Sequence, residues 1–216
     1  MPVHHHLPKE GMIYQRAQYA KGGAGRVYWD YRDRVAFSYI LPEHRRIVDM
    51  GCGEGITLEK LIKTFPEKES IGVDLEQENI EICAQHGLRA VYSDIYNIAL
   101  PSGSFDVCIC IDVLEHLKKP KEAIRELNRI LKTGGRLIIV IPNDRTFLLA
   151  RLAMGMVKEA FYDAGHERQW KPGEVKDLLK DAGFRIASER SLPFLFWQMS
   201  LHYIIAADKE PMQGEH

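Results

Sequence analysis

Long hydrophobic runs are missing from the 216-residue sequence, and so is an excess of charge of either sign. No run approaches the roughly 18 apolar residues of a membrane-spanning helix, and no apolar stretch follows a basic N-terminal segment. We therefore expect neither a membrane span nor secretion. Lys and Arg number 29 against 30 Asp and Glu, a formal net charge of −1. This balance supplies no overall positive field, so we expect no nucleic-acid partner.

Cysteines are few, at positions 52, 83, 108 and 110. Their spacing does not match a zinc site, and Cys108 and Cys110 lie in an apolar run that is typical of a buried strand. We interpret all four as reduced core residues, which favours a cytoplasmic location. The short tract of His4, His5 and His6 is interpreted as a terminus without a functional role.

Composition and periodicity predict one α/β domain. Hydrophobic residues make up 45% and charged residues 27%, which excludes a disordered or low-complexity chain. From about residue 46 onward, short β-rich runs alternate with amphipathic helical runs, a pattern typical of βαβ units around a mostly parallel sheet. The predicted strands are Arg46 to Met50, Ser70 to Asp74, Arg89 to Ser93, Phe105 to Ile111, Arg136 to Ile141, Phe184 to Arg190 and Leu201 to Asp208.

Helices are predicted between these strands. One carries the apolar face of Thr57, Leu58 and Leu61, and a second contains Ile80 and Ile82. A third is expected to begin after Pro120 and to end at Gly134-Gly135. Residues 12 to 40 predict one or two helices before the sheet. Residues 145 to 162 predict a helix inserted after the fifth strand, which either packs on the sheet or forms a lid over a substrate pocket.

The strongest chemical signal is VDMGCGEG at residues 48–55, where a strand runs into a glycine-rich turn and then a helix. Glycines allow a tight turn and the close approach of a ligand. Asp74 ends the second strand about 20 residues later, where a carboxylate can accept hydrogen bonds from two ribose hydroxyls. Its alternative role is to cap the helix that begins at Glu76.

A third carboxylate, Asp94, follows the third strand at the same edge of the sheet. It could bind the exocyclic amine of adenine, with Leu75 and Ile95 packing on the purine faces. A dinucleotide site has the pattern G-x-G-x-x-G and holds a pyrophosphate at a helix N-terminus. The pattern here is G-x-G-x-G, flanked by Asp49 and Glu54, which would repel phosphate and suit a ligand with a cationic amino-acid end. These features favour a nucleoside without phosphates.

Five motifs in this order resemble the class I S-adenosylmethionine-dependent methyltransferases. They are residues 48–55, Asp74, Asp94, the stretch from Phe105 through Asp112-Val113-Leu114-Glu115-His116, and Leu131 to Leu137 with Gly134-Gly135. The resemblance covers about residues 45 to 145 and, through Gly183-Phe184 and a last strand, most of the remainder. It implies a Rossmann-like three-layer α/β sandwich with a mostly parallel seven-stranded sheet, an antiparallel last strand and an inserted lid helix.

The resemblance also implies a division of one methyltransferase domain. Its parts would be a helical cap at 1–44, a cofactor-binding core at 45–145, a lid insertion at 146–170, a C-terminal helix and strands at 171–208, and a loose tail at 209–216. The implied cofactor is S-adenosyl-L-methionine, and the product S-adenosyl-L-homocysteine. The residues expected at the cofactor are Asp49, Gly51, Cys52, Gly53, Asp74, Leu75, Asp94, Ile95, Ile111 and Asp112. Asp49 would lie near the methionine amino group, Asp74 at the ribose and Asp94 at the adenine.

Methyl transfer is an in-line displacement that requires positioning and exclusion of water rather than a protein nucleophile. If the acceptor is a hydroxyl, a base must take its proton. His116 and His166 are the candidate catalytic residues. The alternative for each is a structural role at a helix end. The stretch Asp112-x-x-Glu115-His116 resembles one connected with a divalent metal in ubiquinone-pathway O-methyltransferases. Here Asp replaces the usual Glu and shortens the reach, and many relatives carry the stretch as an anchor beside the cofactor, so no metal is predicted.

The expected acceptor is a small molecule. The sequence contains no Asn-Pro-Pro-Tyr type motif after the fourth strand, which methyltransferases of nucleic-acid bases often show, and residues 166–184 resemble small-molecule methyltransferases. We therefore expect methyl transfer to a hydroxyl of a quinone precursor, sugar or lipid. The alternatives are an NAD-dependent oxidoreductase and a noncatalytic S-adenosylmethionine-binding module. The sequence makes no prediction of the oligomeric state.

Overall fold

The computed structural model describes residues 15–153, 166–194 and 196–211. The described helices are α1 (Gln15–Ala20), α2 (Gly23–Phe37), α3 (Ile56–Thr64), α4 (Gln77–Gln85), α5 (Pro120–Ile130), α6 (Asp144–Ala153) and α7 (Pro172–Asp181). The strands are β1 (Arg46–Met50), β2 (Glu69–Asp74), β3 (Ala90–Tyr92), β4 (Phe105–Ile111), β5 (Leu131–Pro142), β6 (Phe184–Leu192) and β7 (His202–Lys209). Short 3-10 turns lie at Leu114–His116 and Trp197–Met199.

The seven strands form one sheet in the order β3-β2-β1-β4-β5-β7-β6. Neighbours from β3 through β5 pair in parallel, whereas β7 is antiparallel to both β5 and β6. The Rossmann-like fold class and the antiparallel last strand are thereby confirmed. Successive strands are added on one side of β1 as far as β3 and on its other side from β4 onward, so the strand order has a switch point between β1 and β4. Ligands of such sheets bind beyond the strand carboxyl ends at this switch point.

Apolar side chains on both faces explain why the central strands are continuous hydrophobic runs. Successive residues of β1 point to opposite faces, so Ile47 packs in one core cluster and Val48 in the other. Val107 and Cys108 of β4 divide in the same way. The sheet is therefore covered on both sides, which leaves its strand ends as the place for a ligand.

The boundary between α5 and β5 differs from the prediction. The helix ends at Ile130, and β5 begins at Leu131 rather than at Arg136. Gly134-Gly135 thus lies inside the strand, next to a register shift between Phe105 and Val107 of β4. A side chain at Gly135 would meet three backbone carbonyl oxygens at 2.8–3.2 Å. The glycine pair accommodates an irregular strand pairing rather than stopping the helix.

The helices outside the alternating pattern follow the prediction in part. Two helices, α1 and α2, precede the sheet as expected, and α6 begins directly after β5. The second part of the predicted 145–162 helix lies outside the described residues, so its role as a lid stays a prediction. No helix within the described residues is long and apolar enough to span a membrane.

Candidate cofactor and acceptor sites

A crevice opens at the carboxyl ends of β1 and β4, between the glycine turn and α2. Five of the residues predicted at the cofactor line it, namely Asp49, Gly51, Cys52, Ile111 and Asp112. Helices α1 and α2 contribute further lining residues that no sequence pattern singles out, namely Gln15, Trp29, Arg32 and Asp33. Of the remaining predicted residues, Gly53 belongs to the glycine turn, and the others follow the ends of β2 and β3.

The glycine turn requires residues without a side chain. Gly51 and Gly53 have φ values of +69° and +53°, in the left-handed region that glycine adopts readily. A Cβ at Gly51 would also overlap the Cγ2 atom of Val113. The turn is fixed from β2, because the Gly53 amide donates to Asp74 Oδ2 at 2.7 Å. The backbone can therefore approach a ligand closely at Gly51.

Asp49 is a buried carboxylate inside this crevice. Its side chain is 2% exposed, and Oδ2 has no hydrogen-bond partner among the described residues. Burial, together with the nearby acidic groups of Asp33, Cys83 and Asp74, raises the pKa of Asp49 to about 8. An uncompensated buried carboxylate is costly, and a cationic ligand group would restore its charge balance. The site therefore fits the ammonium group of an amino-acid ligand.

Asp74 and Asp94 lie at adjacent strand ends, as the sequence predicted. Asp74 pairs with Tyr92 across β2 and β3, and Asp94 follows two residues after Tyr92. Asp74 Oδ1 accepts hydrogen bonds from the Glu76 amide at 2.9 Å and from Asn79 Nδ2 at 3.0 Å, so this carboxylate also organises the start of α4. Asp94 is exposed, and its Oδ1 accepts from the Tyr96 amide at 2.9 Å.

Two apolar residues stand beside these carboxylates. Leu75 is 52% exposed, and Ile95 packs in part against the core. The exposed Leu75 directly follows Asp74 in the chain, and this surface matches one for a purine nucleoside. The sequence therefore predicted correctly that five residues lie at one edge of the sheet, namely Gly53, Asp74, Leu75, Asp94 and Ile95.

Glu54 has a different role from the expected one. Its two carboxylate oxygens accept hydrogen bonds from the backbone amides of Gln15 and Arg16, each at 2.7 Å. Arg16 Nε also donates to the Glu54 carbonyl at 2.7 Å. The Glu54 carboxylate holds the first turn of α1 against the glycine turn, where a negative charge stabilises the free amides. The interpretation that Glu54 faces a cationic ligand is therefore corrected.

Arg32 on α2 is the main site residue that the sequence analysis missed. Its Nη1 lies 2.5 Å from Asp112 Oδ2, and its Nε and Nη2 donate to Asp33 Oδ1 at 3.0 and 2.9 Å. Asp33 in turn pairs with Lys60 of α3 at 2.8 Å. An arginine within a helix carries no local signal of such a role. Arg32 places a permanent positive charge in the crevice wall, where an anionic ligand group can bind.

Asp112 follows β4 with a φ of +52°, a left-handed conformation that is strained for a residue other than glycine. This backbone directs its carboxylate toward Arg32 and toward His202, whose Nε2 lies 3.2 Å from Asp112 Oδ1. The other His202 nitrogen is hydrogen-bonded to Tyr28 Oη at 2.7 Å. Burial favours the neutral acid, but His202 and the Arg32 guanidinium together lower the pKa of Asp112 to about 2.

A second group of titratable side chains lies next to this crevice, where residue 166 meets the turn that follows β4. Glu115, His116 and His166 each offer a ligand atom, and these atoms lie within 4.8 Å of one another. The His116 and His166 rings meet edge to face, with centroids 4.9 Å apart. His166 Nδ1 is 2.9 Å from Asp144 Oδ2. The two histidines predicted as catalytic are therefore brought together.

Glu115 is the buried member of this group. It is 1% exposed, and neither carboxylate oxygen has a hydrogen-bond partner among the described residues. Burial, with the negative charges of Asp112 and Asp144, raises the pKa of Glu115 above its usual range. The trio Asp112, Glu115 and His116 does not assemble as a ligand set, because the Asp112 carboxylate is paired with Arg32 and His202.

The sheet order, the glycine turn and the carboxylates at the strand ends define a Rossmann-like α/β protein with a candidate nucleoside site. Residues 48–139 match a family model described as a methyltransferase domain. A ubiquinone biosynthesis O-methyltransferase of Ralstonia nicotianae is 28% identical over 181 residues, 75% of this chain and 75% of the relative. Residues 48–139 therefore contain a methyltransferase domain, whose methyl donor is S-adenosylmethionine and whose product is S-adenosylhomocysteine. This decides against an NAD-dependent oxidoreductase.

Solved structures share the fold. A methyltransferase from Thermotoga maritima superimposes with a TM-score of 0.68 at 24% identity, covering 91% of this chain and 96% of that one. One from Archaeoglobus fulgidus gives a TM-score of 0.67 at 22% identity, covering 91% and 100%. At these identities the likeness concerns the fold and not the acceptor.

Proposed function

We propose that this methyltransferase transfers the methyl group to a hydroxyl of a small aromatic acceptor of the quinone-precursor type. The observation that carries the proposal is the group of Glu115, His116 and His166, which stands beside the crevice wall formed by Ile111 and Asp112. Hydroxyl acceptors need a proton acceptor at the reacting oxygen, and a histidine is the commonest choice.

The cofactor is assigned to the crevice and to the adjoining strand ends. Asp49 would bind the methionine ammonium group, and Arg32 would bind the methionine carboxylate. Gly51, Cys52 and Gly53 would cradle the methionine chain, with Ile111 and Asp112 as the opposite wall. Asp74 would accept hydrogen bonds from the ribose and Asp94 from adenine, between Leu75 and Ile95.

His166 is proposed as the proton acceptor. Its Nδ1 is held by Asp144 at 2.9 Å, which fixes the ring and leaves Nε2 for the acceptor hydroxyl. A carboxylate at Nδ1 stabilises the imidazolium that forms as the hydroxyl proton is transferred. His116 lies against the same ring and is proposed to position the acceptor. The acceptor oxygen then attacks the methyl carbon in line with the departing sulfur.

Relatives support the acceptor class. Proteins from Ralstonia nicotianae and Methylococcus capsulatus, each 28% identical to this chain, are named ubiquinone biosynthesis O-methyltransferases. The four buried cysteines, none in a disulfide, agree with a cytoplasmic location.

A methyl-transfer assay tests the proposal. Radiolabelled S-adenosylmethionine would be offered with catechol-type quinone precursors, sugars and lipid extracts, and we expect methylation of the phenolic hydroxyl. His166→Gln should lower kcat by roughly 10²–10⁴-fold with little change in cofactor Kd. His86→Gln is the matched control, because His86 is exposed at the end of α4. Methylation of an amine or sugar in place of the phenol, or cofactor binding without turnover on any acceptor, would refute the assignment.

A further inference from the structure

We propose that Tyr28 is a specificity-determining residue, whose phenol oxygen accepts a hydrogen bond from a second, non-reacting hydroxyl of the methyl acceptor. His202 and Asp112 are the positioning residues that present this oxygen as an acceptor. The inference rests on the proposed function, because it places the second hydroxyl beside the one whose proton His166 takes.

Four side chains form a closed network between α2 and the sheet. Tyr28 Oη and His202 Nδ1 are 2.7 Å apart, and His202 Nε2 lies 3.2 Å from Asp112 Oδ1. Asp112 Oδ2 in turn binds Arg32, which lies four residues after Tyr28 on the same face of α2. His202 is buried at the start of β7, which pairs with β5 on one side and with β6 on the other. The network therefore holds the Tyr28 hydroxyl in a fixed place.

The charge of Asp112 assigns the proton on the His202 ring. Although partial burial opposes ionisation, His202 and Arg32 hold the pKa of Asp112 at about 2, so its carboxylate only accepts hydrogen bonds. Burial lowers the pKa of His202, so the ring is neutral at neutral pH and carries one proton. This proton is on Nε2, because a lone pair there would face the negative Oδ1 atom of Asp112. Nδ1 is therefore the acceptor nitrogen.

The hydrogen bond between Tyr28 and His202 consequently has one direction. Burial raises the pKa of Tyr28, so its hydroxyl keeps its proton and donates it to Nδ1. The Leu192 carbonyl, 3.5 Å from Tyr28 Oη, would need the same proton and is too distant to compete. The Tyr28 oxygen keeps its lone pairs for a donor. A ligand hydroxyl is such a donor, whereas the carboxylate of the cofactor is not, so Tyr28 suits the methyl acceptor.

Helix α6 connects this network with His166. Phe147 packs edge to face on His202, with ring centroids 4.9 Å apart. Asp144, three residues earlier and on the same face of α6, lies 2.9 Å from His166 Nδ1. The two histidines are therefore contacted from one face of the same helix. Tyr28 is only partly buried, so one small acceptor beside α6 would meet both Tyr28 and His166.

The two hydroxyls of the acceptor then have different partners. His166 takes the proton of the hydroxyl that is methylated. Tyr28 is a neutral phenol, so it holds the other hydroxyl without ionising it. An acceptor with a single hydroxyl lacks this contact. One neutral hydrogen bond corresponds to a difference in affinity of about twofold to tenfold.

Binding to a complex without a methyl donor tests Tyr28 separately from turnover. Catechol and phenol, which differ by one hydroxyl, would be titrated by calorimetry into the full chain saturated with S-adenosylhomocysteine. We expect tighter binding of catechol, and Tyr28→Phe should reduce the ratio of the two affinities by about twofold to tenfold. The Kd of phenol should stay within about twofold. Tyr39→Phe is the matched control, because Tyr39 is also partly buried but contacts Arg136, which pairs with the start of β4.

Nitrogen-15 NMR of the His202 ring tests the positioning role. In the wild type and in Tyr28→Phe, we expect a protonated Nε2 and an unprotonated Nδ1. In Asp112→Asn, Arg32 retains the amide oxygen and the amide NH₂ group faces Nε2, so the proton should move to Nδ1. Nδ1–H would then occupy the Tyr28 oxygen, and the preference for catechol should fall as in Tyr28→Phe.

Two results would overturn the inference. One is a protonated Nδ1 in the wild type, and the other is an unchanged ratio of catechol and phenol affinities in Tyr28→Phe. Catechol binding that depends on Tyr28 without methyl transfer would refute the proposed function alone. Catechol methylation with the same affinity ratio in Tyr28→Phe would refute this inference alone, and absence of catechol binding in the wild type would refute both.

Discussion

Arg32 of α2 and Asp112 at the end of β4 form an ion pair, with Nη1 and Oδ2 2.5 Å apart. The two residues are 80 positions apart in the chain, and their contact joins the helices before the sheet to the wall of the crevice beyond β1 and β4. The Arg32 side chain is 8% exposed and also binds Asp33, which is buried. The pair therefore contributes to both the fold and the site.

Replacing Arg32 tests its structural contribution. Arg32→Met should lower the free energy of unfolding by about 3 kcal/mol, because it leaves the buried Asp33 and the partly exposed Asp112 without their guanidinium partner. Lys60 still compensates Asp33, which places the effect at the low end for a broken buried pair. Urea denaturation measures it. Arg34→Met on the exposed face of α2 is the control and should change stability by less than about 0.5 kcal/mol. Equal losses in both variants would contradict the role of the pair.

Gly51→Ala should be more damaging than the same change at Gly87. Both glycines have positive φ, +69° and +70°, so both variants carry the backbone strain of about 1–2 kcal/mol. A Cβ at Gly51 also overlaps Val113, whereas a Cβ at Gly87 has nothing within 4 Å. We expect Gly51→Ala to lose more stability and to weaken cofactor binding, measured by denaturation and by calorimetry. Equal losses of stability and of cofactor affinity in the two variants would show that the contact with Val113 contributes to neither.

Asp49 should make the cofactor-free protein less stable as the pH rises. Its folded pKa of about 8 lies above the usual 3.9 or so of an unfolded aspartate. Between these two values the folded state holds a proton that the unfolded state has lost, so the free energy of unfolding falls with pH. Relative to Asp49→Asn, wild-type stability should fall by on the order of 1 kcal/mol per pH unit from pH 5 to 7.

The same carboxyl predicts a proton release on cofactor binding. If the ammonium group of the cofactor pairs with Asp49, the cofactor binds the ionised form and its Kd decreases from pH 5.5 to 7. Calorimetry in buffers of different ionisation enthalpy measures the proton release. In Asp49→Asn the release should disappear, and its persistence there would assign the proton to another group.

Asp74→Ala should weaken cofactor binding by about 1–3 kcal/mol, because ribose hydroxyls would lose their acceptor. The change also removes the hydrogen bond from the Gly53 amide, which loosens the glycine turn. Equilibrium binding of S-adenosylhomocysteine measures the effect. Glu81→Ala, which removes a carboxylate of the same sign from the exposed face of α4, is the control. An unchanged Kd in Asp74→Ala would remove this residue from the site.

Much of the fold was predictable from local patterns. The strands from β1 to β4 begin and end within about one residue of their predicted limits. For the buried strands β1, β2 and β4 the reason is that such a strand needs a continuous apolar run whatever its neighbours are. The start of β5 was missed because the Gly134-Gly135 pair is locally identical to a helix stop signal. Only the pairing with β4 shows that these glycines accommodate a strand irregularity.

The sequence by itself determined the type of domain and the cofactor, because the glycines of a turn and the carboxylates at strand ends are recognisable from their local positions in the chain. The tertiary structure decided which distant side chains meet. Glu54 holds α1 across 39 positions, Arg32 reaches Asp112 across 80, and His166 docks beside Glu115 through backbone hydrogen bonds. These contacts depend on how helices and loops pack on the finished sheet, and no periodicity or spacing encodes such packing.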